Sequence, residues 1–448
     1  MKSFSSNTLI NMSSVKAGDF FMYKIVVIGG GWSGCAAALA ARKAGAEVTL
    51  IEKTDMLLGL GNVGGIMRNN GRYTAAEENI ALGADELFRI TDRFSRHVNI
   101  DFPGHNHASL YDVMKVEPQV RRLLQEMGIE IKTMARAIDV TMESPTLMKS
   151  ITLADETIIE GDVFIETTGS TGPMGNCLTY GNGCCMCILR CPAFGPRVSI
   201  TQKAGKVDIM GQRKDGSFGA FSGSGKLEKG SLSEEIQREL NLKGVAIIPL
   251  PPEEIVKEKL DIKVCQQYAL DQYAENIILL DTGYAKIMTP FFSLEKLRRI
   301  PGLENARYAD PYAGGKGNSI RYLSVAERDD DMRVTDIQNL FCGGEKSGLF
   351  IGHTEAISTG TLAGYNAARY LKGMRTLELP TQIAIGDLIS YANNQIKSKD
   401  GLMTRYTFAG ASYFARMKEK GLYTTDSETV RNRIRKYDLE NIYKDKIL

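Results

Sequence analysis

The chain has 448 residues, of which 43% are hydrophobic and 24% charged, so its composition excludes a disordered chain, a collagen-like chain and a coiled coil. The 55 basic side chains nearly balance the 53 acidic ones, and the formal net charge of +2 argues against a polyanion-binding surface that covers the whole molecule. Glycine is abundant, at 45 residues, which favours tight turns and backbone segments that approach a ligand closely.

The N-terminal segment, residues 1–21, is rich in serine and asparagine and lacks the apolar core of a secretory signal. We expect a disordered leader here, or a translation start at Met22, which directly precedes the first strand. No apolar run in the sequence reaches the roughly 18 residues that a membrane span needs. The sequence therefore predicts a cytoplasmic protein that does not cross a membrane.

The first strong motif is a glycine-rich turn between a strand and a helix. Residues 23–28 have the apolar pattern of a buried strand, and an alanine-rich helix follows the turn. The turn contains Gly29, Gly31 and Gly34, and the next strand ends at Glu52. In this context the spacing is typical of a dinucleotide site, in which the helix N-terminus binds a pyrophosphate and the acidic residue binds the adenosine ribose.

Three later segments favour FAD over NAD as the dinucleotide. A second glycine cluster, residues 59–65, follows the acidic residue, and residues 162–169 form a strand that ends in a Thr-Gly turn. Residues 339–369 form a short strand, a glycine-rich turn and a long helix of small residues, which resembles the second FAD element of two-part flavoproteins. The residues predicted to bind FAD are Gly29, Gly31, Trp32, Ser33, Gly34, Glu52, Lys53, Gly64, Gly65, Thr168, Gly169, Gly344, Glu345, Gly352, His353 and Thr354.

Five of the eight cysteines lie between residues 177 and 191, and this clustering points to metal or redox chemistry rather than to disulfides. Cys184, Cys187 and Cys191, with a proline after the last, match three ligand positions of bacterial ferredoxins, and Cys177 or Cys185 would supply the fourth ligand. The first interpretation is a [4Fe-4S] cluster on Cys177, Cys184, Cys187 and Cys191. A flavin-coupled dithiol, a structural zinc site and simple packing of small apolar side chains are the alternatives.

The histidines and the remaining cysteines divide into a functional and a structural group. His353 opens the long helix of the return segment and is predicted to contact the flavin or the substrate, so it joins Cys184 and Cys187 as a predicted catalytic residue. His105 and His107 are predicted to lie in an exposed loop, with a loop of the functional site as the alternative. The cysteines expected to be packed in helices or strands are Cys35, Cys265 and Cys342.

We predict an α/β fold with a two-segment FAD-binding Rossmann-type domain, an inserted mixed α+β domain and a short helical C-terminal cap. Helix and strand patterns alternate up to about residue 170, where the chain is expected to leave the first domain. Aromatic side chains alternate with basic ones in residues 397–448, and we favour a helical cap with an aromatic core over a nucleic-acid site. The predicted division is a leader at 1–21, an FAD-binding domain at 22–170 and 336–375, an inserted substrate-binding and cysteine-rich domain at 171–335, and a C-terminal helical segment at 376–448.

Three stretches of the chain resemble the glucose-inhibited division protein A family, which includes the folate- and FAD-dependent tRNA uridine methyltransferases. They are Arg299–Ala306, with the string RIPGLENA, and residues 339–369 and 379–391. The resemblance implies an FAD-binding fold and, for one branch of the family, a reaction in which reduced flavin and a cysteine handle a one-carbon unit on RNA. The chain departs from the family pattern in its cysteine cluster and in the roughly 80 residues after Arg369, fewer than the tRNA-binding domain of the larger branch has.

The leading functional expectation is an FAD-dependent oxidoreductase in which electrons pass between the flavin and the cysteine-rich segment. Flavin suits this role because it couples two-electron to one-electron chemistry, while the protein orients and tunes it. The expected redox partner is a small molecule or a protein, and the chain is expected to form a homo-oligomer. One alternative is a folate- and FAD-dependent RNA uridine methyltransferase, with RNA as a less favoured partner, and another is a non-catalytic electron-transfer subunit.

Overall fold

The computed structural model describes residues 23–169, 194–221, 225–261, 263, 265–288, 292–309, 320–321 and 323–448. The strands are, in chain order, β1 Lys24–Ile28, β2 Glu47–Ile51, β3 Ile66–Arg68, β4 Ser95–Phe102, β5 His105–Tyr111, β6 Glu130–Lys132, β7 Ala137–Ser144, β8 Leu147–Leu153, β9 Ile158–Glu160, β10 Val163–Glu166, β11 Ile209–Met210, β12 Ala220–Phe221, β13 Lys226–Leu227, β14 Val245–Pro249, β15 Asn276–Asp281, β16 Ala285–Ile287, β17 Ile320–Arg321, β18 Ser324–Val325 and β19 Leu340–Cys342. The α-helices are α1 Trp32–Lys43, α2 Gly61–Gly64, α3 Gly71–Leu82, α4 Glu86–Arg93, α5 Val116–Glu126, α6 Ile200–Lys203, α7 Glu234–Lys243, α8 Gln272–Glu275, α9 Leu294–Leu297, α10 His353–Leu371, α11 Ala384–Gln395, α12 Lys399–Met403, α13 Ala411–Glu419 and α14 Ser427–Arg435.

A five-stranded parallel sheet with the order β19-β10-β1-β2-β6 forms the centre of the fold. Its strands β1 and β10 are apolar runs because both faces of the sheet are covered. The predicted strand–turn–helix–strand unit is confirmed as β1, α1 and β2, and β19 of the return segment joins the same sheet. The carboxyl ends of these strands meet at one edge, which is where open α/β sheets bind ligands. The predicted domain limits stay predictions.

Helix α10 packs along α1 in the same direction through small residues. A Cβ atom at Gly360 would overlap the carbonyl oxygen of Ser33, and one at Gly364 would overlap that of Ala37. Glycine at both positions therefore allows the two helix backbones to approach closely. Because Gly360 lies seven residues after the start of α10, the first two turns of this helix project beyond the start of α1 and over the glycine-rich turn.

Antiparallel sheets surround this centre. The three-stranded sheet β7-β8-β9 covers one face of the parallel sheet, where Ile151 and Met148 pack with Val26 and Ile28 of β1. The sheet β3-β5-β4 lies near the second glycine cluster, and the four-stranded sheet β13-β16-β15-β14 has its own apolar core with α7. The fold therefore combines a parallel Rossmann-like sheet, antiparallel sheets and C-terminal helices.

The C-terminal helices bury their aromatic side chains, as the sequence favours. Tyr406 and Tyr413 have no exposed surface. Both Arg416 and Lys420 of the α13 region form ion pairs with the buried carboxylate of Asp387 on α11. These aromatic rings therefore belong to the hydrophobic core, and the two basic side chains link the α13 region to α11. No helix in the described parts of the chain is both long and apolar enough to cross a membrane.

The expectation of an exposed loop around His105 is wrong. His105 is the first residue of β5, and only 1% of its surface is exposed. Its Nδ1 atom accepts from the side-chain amide of Asn69 at 2.9 Å, and its Nε2–H donates to the carbonyl oxygen of Gln267 at 3.0 Å. A polar side chain can be buried when its hydrogen bonds are satisfied, and the partners come from elements distant in the chain.

Acid is expected to destabilise the fold through His105. Burial lowers the pKa of this imidazole from 6.5 to about 3. The unfolded chain therefore takes up a proton at higher pH than the folded chain does. The contribution of His105 to the free energy of unfolding is complete above pH 6.5 and falls by about 1.4 kcal/mol per pH unit between pH 6.5 and 3. Urea unfolding at pH 7.5, 6 and 5 measures this slope. A His105→Gln variant with the same slope as the wild type would contradict the assignment.

Candidate functional site

The glycine-rich turn connects β1 to α1 at the edge of the parallel sheet. Gly29 has a φ of +108°, and a Cβ atom there would lie 2.5 Å from the carbonyl oxygen of Thr167 on the neighbouring strand end. A Cβ atom at Gly34 would overlap the carbonyl oxygen of Gly29. At Gly31, in contrast, no described atom lies within 4 Å of the position that a Cβ atom would take. The turn therefore packs tightly against the sheet and leaves space at the helix N-terminus, where Gly31 is the N-cap residue.

The residues at the start of α1 fit a negatively charged group. No described side chain caps this N-terminus, so its first N–H groups and its partial positive charge face the space beside Gly31. The hydroxyl of Ser33 is buried and has no hydrogen-bond partner among the described residues. Helix N-termini of this kind bind phosphates. The donors present here therefore fit the diphosphate of a dinucleotide, and the cofactor-binding roles of Trp32 and Ser33 stay predictions.

Glu52 follows β2 and organises the same turn. Its side chain is 8% exposed, and its two carboxylate oxygens accept hydrogen bonds from the backbone N–H groups of Gly30, at 2.7 Å, and Thr54, at 2.8 Å. The neighbouring Lys53 donates from Nζ to the carbonyl oxygen of Gly195 at 3.0 Å. The predicted ribose-binding carboxylate therefore lies beside the glycine turn, where it also holds the backbone of that turn.

Two lysines of the four-stranded sheet hold the second glycine cluster. Lys226 and Lys286 are directly opposite one another on β13 and β16. Lys226 donates to the carbonyl oxygen of Asn62 at 3.3 Å, and Lys286 donates to those of Gly64 at 2.6 Å and Val63 at 3.3 Å. Hydrogen bonds from a charged donor are stronger than neutral ones, so this sheet positions the cluster firmly. Neither lysine is predicted from the sequence, because single lysines in short strands carry no local signal.

The predicted residues Gly64 and Gly65 lie against other parts of the site. A Cβ atom at Gly64 would overlap the imidazole of His353, and one at Gly65, whose φ is +73°, would overlap the side chain of Thr282. Both positions therefore bring the second glycine cluster into direct contact with neighbouring elements. Among these contacts, the one with His353 joins the cluster to the start of α10.

The Thr-Gly turn after β10 lies at the same edge of the sheet. Thr168 donates from its hydroxyl to Glu166 at 2.8 Å and accepts from Nε of Arg197 at 3.0 Å. Gly169 has a φ of +80°, and no described atom lies within 4 Å of its Cβ position. The turn therefore combines a fixed threonine with a glycine that has no close neighbour among the described residues, beside the first glycine-rich turn.

The return segment contributes the remaining predicted residues. Gly344 has a φ of +67°, packs against Ser33 of α1 and donates its N–H to the hydroxyl of Thr359 at 2.8 Å. The half-buried Glu345 follows it. Thr354, in the first turn of α10, donates its hydroxyl to the carbonyl oxygen of Met67 at 2.7 Å. The return segment therefore connects the helix that follows the first glycine turn with the strand that follows the second glycine cluster.

His353, the first residue of α10, lies in an aromatic group whose members are distant from one another in the sequence. Its ring centroid is 6.1 Å from that of Trp32 and 5.9 Å from that of Tyr111. The Tyr111 hydroxyl lies 3.2 Å from Nδ1 of His353, 2.6 Å from the carbonyl oxygen of Gly61 and 3.3 Å from Nε1 of Trp32. Tyr111 is fully buried at the end of β5, and burial raises the pKa of its hydroxyl, so it stays a phenol.

A buried ion pair between α3 and the first turn of α10 stabilises this end of the helix. Nε of Arg72 on α3 lies 3.0 Å from both carboxylate oxygens of Glu355, and the guanidinium also donates to the carbonyl oxygen of Ile351 at 2.7 Å. A side chain at Gly352, whose φ is +147°, would overlap both members of the pair. Burial alone would lower the pKa of Arg72, but the Glu355 carboxylate raises it, so the guanidinium stays charged.

A second buried charge cluster lies under the carboxyl ends of β10 and β19. Lys346 donates to Asp208 at 2.6 Å and to the hydroxyl of Ser199 at 2.8 Å, and it lies 3.8 Å from Glu166. Glu166 in turn accepts from the backbone N–H groups of Ile200, at 2.9 Å, and of the following residue. The only sequence signal for this cluster was a glutamate at the end of an otherwise apolar strand.

The predicted cysteine site falls outside the described residues. Cys177, Cys184, Cys187 and Cys191 belong to the segment 170–193, so their roles as metal ligands or catalytic thiols stay predictions. Within the ranges that the structure describes, no group of three or more His, Cys, Asp or Glu side chains is arranged to hold a metal ion. The prediction that the other three cysteines are packed is confirmed, since Cys35, Cys265 and Cys342 are all buried. Cys265, however, lies just before a short 3-10 helix and not within an α-helix or a strand.

The pair Gly31 and Gly34 provides a matched test of this site. Gly31→Ala is expected to change the free energy of unfolding by less than about 0.5 kcal/mol and to weaken FAD binding about tenfold or more, because its side chain would enter the space beside the helix N-terminus. Gly34→Ala is expected to lower the free energy of unfolding by about 1–3 kcal/mol, because its side chain would overlap backbone. Urea unfolding of the apoprotein and titration with FAD separate the two effects. Wild-type FAD affinity in Gly31→Ala would contradict the prediction that FAD occupies the space beside Gly31.

A parallel sheet with a glycine turn, an acidic residue after the second strand and a return helix at the same edge defines a dinucleotide-binding α/β protein. The chain matches the family described as glucose inhibited division protein A over residues 24–245 and 280–375, which is more than half of its length. It belongs to this family, the one that the sequence resemblance indicated, and family membership supports FAD as its cofactor.

Relatives and solved structures extend this comparison. The chain is similar to proteins named methylenetetrahydrofolate–tRNA-(uracil-5-)-methyltransferase TrmFO, with 33% identity over 109 residues in Caldicellulosiruptor bescii and 30% over 149 residues in Enterococcus faecalis. These alignments cover 24% and 32% of this chain, and 24% and 29% of the relatives, so the chain spans less than a third of the curated relatives it matches. Aquifex aeolicus GidA in its form II crystal has a similar fold, with a TM-score of 0.64 and 18% identity, covering 94% of this chain and 74% of that one.

Proposed function

We propose that the chain transfers a one-carbon unit from a reduced folate to a uridine in RNA, with FAD as its cofactor. The observation that carries this proposal is the name shared by relatives that are 30–38% identical over the matched stretches, all of them folate-dependent tRNA uracil methyltransferases. We prefer this proposal to electron transfer between the flavin and the cysteine segment, because no relative named above supports an iron–sulfur enzyme. The residues around the glycine turns fit FAD and support the same proposal.

The chemistry explains why a flavin belongs in such a site. A methylene group carried by folate must gain two electrons to become a methyl group, and reduced FAD supplies them when it is bound. The N-terminus of α1 would bind the FAD diphosphate and Glu52 the ribose, while the start of α10 would lie at the flavin ring. The rings of Trp32, Tyr111 and His353 lie together at this end of α10.

A methylation assay tests the proposal. The FAD-loaded protein is incubated with unmodified tRNA and rRNA transcripts, methylenetetrahydrofolate labelled in its methylene carbon and reduced nicotinamide or dithionite. The expected product is 5-methyluridine carrying the label, detected by nucleoside mass spectrometry. Omission of the folate, or its replacement by S-adenosylmethionine, is expected to abolish labelling. No labelled nucleoside in any transcript, from protein whose flavin is reduced and reoxidised, would overturn the proposal.

RNA affinity and metal content provide two independent checks. A protein that binds RNA through phosphate contacts loses affinity steeply as salt is raised, so binding measured at 50 and 200 mM salt should differ strongly. Iron and acid-labile sulfide are measured in anaerobically purified protein. About four of each per chain, together with absence of RNA binding at low salt, would restore the electron-transfer interpretation of Cys177, Cys184, Cys187 and Cys191.

A further inference from the structure

Two buried carboxylates gather basic side chains next to the second glycine cluster. Asp281, the last residue of β15, has no exposed side-chain surface, and Asp112, directly after β5, has 3%. Asp281 accepts from Nζ of Lys229 at 2.7 Å and from Nε of Arg96 at 2.9 Å. Asp112 lies 3.3 Å from Nη1 of Arg96 and 3.5 Å from Nζ of Lys115. These five residues form one cationic group, in which Arg96 bridges the two carboxylates.

The cationic group carries more positive than negative charge. Burial alone would raise the pKa of Asp281, but the hydrogen bonds from Lys229 and His97 hold this pKa below its ordinary value of 3.8, so the carboxylate is ionised at neutral pH. Within the described ranges, the three Lys and Arg side chains contact no carboxylate other than Asp112 and Asp281. Three cations on two carboxylates therefore leave an excess of one positive charge, with His97 not counted.

The cations of this group reach the surface, whereas the carboxylates lie beneath it. The side chain of Lys115 is 61% exposed and that of Arg96 is 28% exposed. Nη2 of Arg96 forms no hydrogen bond with any described residue, so its two N–H donors remain available. Because Arg96 and Lys115 both approach Oδ2 of Asp112, their charged ends lie next to each other. An exposed guanidinium beside an ammonium matches the charge and the acceptor oxygens of a phosphate group.

The cationic group borders the end of the site where the flavin ring is predicted. Asp112 directly follows Tyr111, whose backbone N–H donates to the carbonyl oxygen of Gly65 at 2.9 Å. The turn after β15 packs against the same segment, since a Cβ atom at Gly283 would lie 2.9 Å from Oδ1 of Asp112, and one at Gly65 would overlap Thr282. An RNA with its target uridine at the flavin would therefore bring the phosphates of neighbouring nucleotides close to this group.

We propose that Arg96 and Lys115, supported by Lys229, bind the phosphate groups of RNA that flank the target uridine. This inference rests on the proposed function for the identity of the anion. Phosphate contacts fix the register and orientation of a nucleic acid without reading its bases. Arg96 and Lys115 are therefore positioning residues for the RNA, and the choice of uridine is made elsewhere in the site.

The salt dependence of RNA binding tests this inference without any turnover. Binding of a fluorescently labelled, unmodified tRNA transcript to the FAD-loaded protein is measured by anisotropy between 50 and 200 mM salt. The logarithm of the association constant falls with the logarithm of the salt concentration, with a slope set by the number of phosphate contacts. Lys115→Gln is expected to reduce this slope by about one and to weaken binding about fivefold at 50 mM salt. Lys214→Gln, in an exposed ion pair with Asp261, is the control and is expected to change neither quantity.

Arg96→Lys tests the guanidinium itself. The variant keeps the positive charge but loses the planar donors, so RNA binding is expected to weaken at least about threefold while the slope changes little. Urea unfolding checks that this variant keeps its fold, because Arg96 contacts two buried carboxylates. If Arg96→Lys is destabilised, Lys115→Gln decides, since its side chain is largely exposed.

The outcomes separate this inference from the proposed function. RNA binding by the wild type with an unchanged slope in Lys115→Gln would overturn the inference alone. A loss of affinity for methylenetetrahydrofolate in Lys115→Gln, with an unchanged RNA slope, would assign the cationic group to the carboxylates of the folate and would also overturn it. A reduced slope in Lys115→Gln would support the inference even if the methylation assay gives no product. Absence of RNA binding by the wild type at 50 mM salt would overturn both.

Discussion

Replacing Glu355 with alanine is expected to lower the free energy of unfolding by about 3–5 kcal/mol, because it leaves the charged guanidinium of Arg72 buried without its partner. The carboxylate has no exposed surface and the arginine side chain is 3% exposed. Glu355 also accepts from the hydroxyl of Thr407 at 2.7 Å and from the backbone N–H of Phe408 at 2.9 Å, so the substitution breaks several hydrogen bonds at once. It should loosen the first turn of α10 and reduce FAD retention.

The single tryptophan is a built-in reporter for this experiment. Trp32 is buried beside His353, so urea unfolding followed by its fluorescence reports on the site itself. The double variant Arg72→Met/Glu355→Met is expected to be more stable than Glu355→Ala, because it leaves no unpaired charge. Glu295→Ala removes an exposed partner of Arg299 and should change stability by less than about 1 kcal/mol. Equal effects of Glu355→Ala and Glu295→Ala would contradict the importance of the buried pair.

Lys346→Met is expected to destabilise the protein by a similar amount, about 3–5 kcal/mol, because it leaves the carboxylates of Asp208 and Glu166 together without the buried ammonium. The lysine side chain and both carboxylate groups have no exposed surface. Lys346 joins the return segment to the chain after residue 194, so its loss should also disturb the arrangement of Thr168, whose hydroxyl binds Glu166. Lys214→Met, in an exposed pair with Asp261, is the control and should cost less than about 1 kcal/mol.

The pH dependence separates the loss of charge pairing from the loss of packing. Burial alone would raise the pKa of Asp208, but the Lys346 ammonium and its hydrogen bond hold this pKa below its ordinary value of 3.8. The stabilisation is therefore present above pH 3.8 and is lost as the pH falls through the folded-state value. The stability difference between wild type and Lys346→Met should be largest at neutral pH and shrink in acid. A difference that does not change with pH would indicate packing alone.

The elements that the sequence predicts well are those with a local repeat. The strand ahead of the first glycine turn, the alanine-rich helix after it and the long helix that begins at His353 all follow from short-range periodicity and glycine spacing. Glu52 was assigned from its position after the second strand, and it does lie at the glycine turn. Even the aromatic core of the C-terminal helices followed from composition, because large apolar rings are more readily buried than left in solvent.

The predictions were wrong or incomplete where the contacts join distant parts of the chain. His105 was expected in an exposed loop, because neither of its neighbours indicates the amide of Asn69 or the carbonyl of Gln267 that satisfy it. Tyr111 lies 242 residues before His353 in the chain, and nothing near it in the sequence marks it as a partner. Such contacts depend on how whole elements pack, and that packing leaves no periodic pattern in either segment.

The sequence by itself determined the family, the glycine-rich edge that is predicted to bind the nucleotide and the helix that returns to it, because a turn, a strand and a helix are encoded by residues close together. Only the tertiary structure decided how that edge is completed. It placed Arg72 against Glu355 across 283 positions and Lys346 against Asp208 across 138 positions. Burial makes these charges depend on one another, and burial is a property of the packed molecule rather than of any local segment.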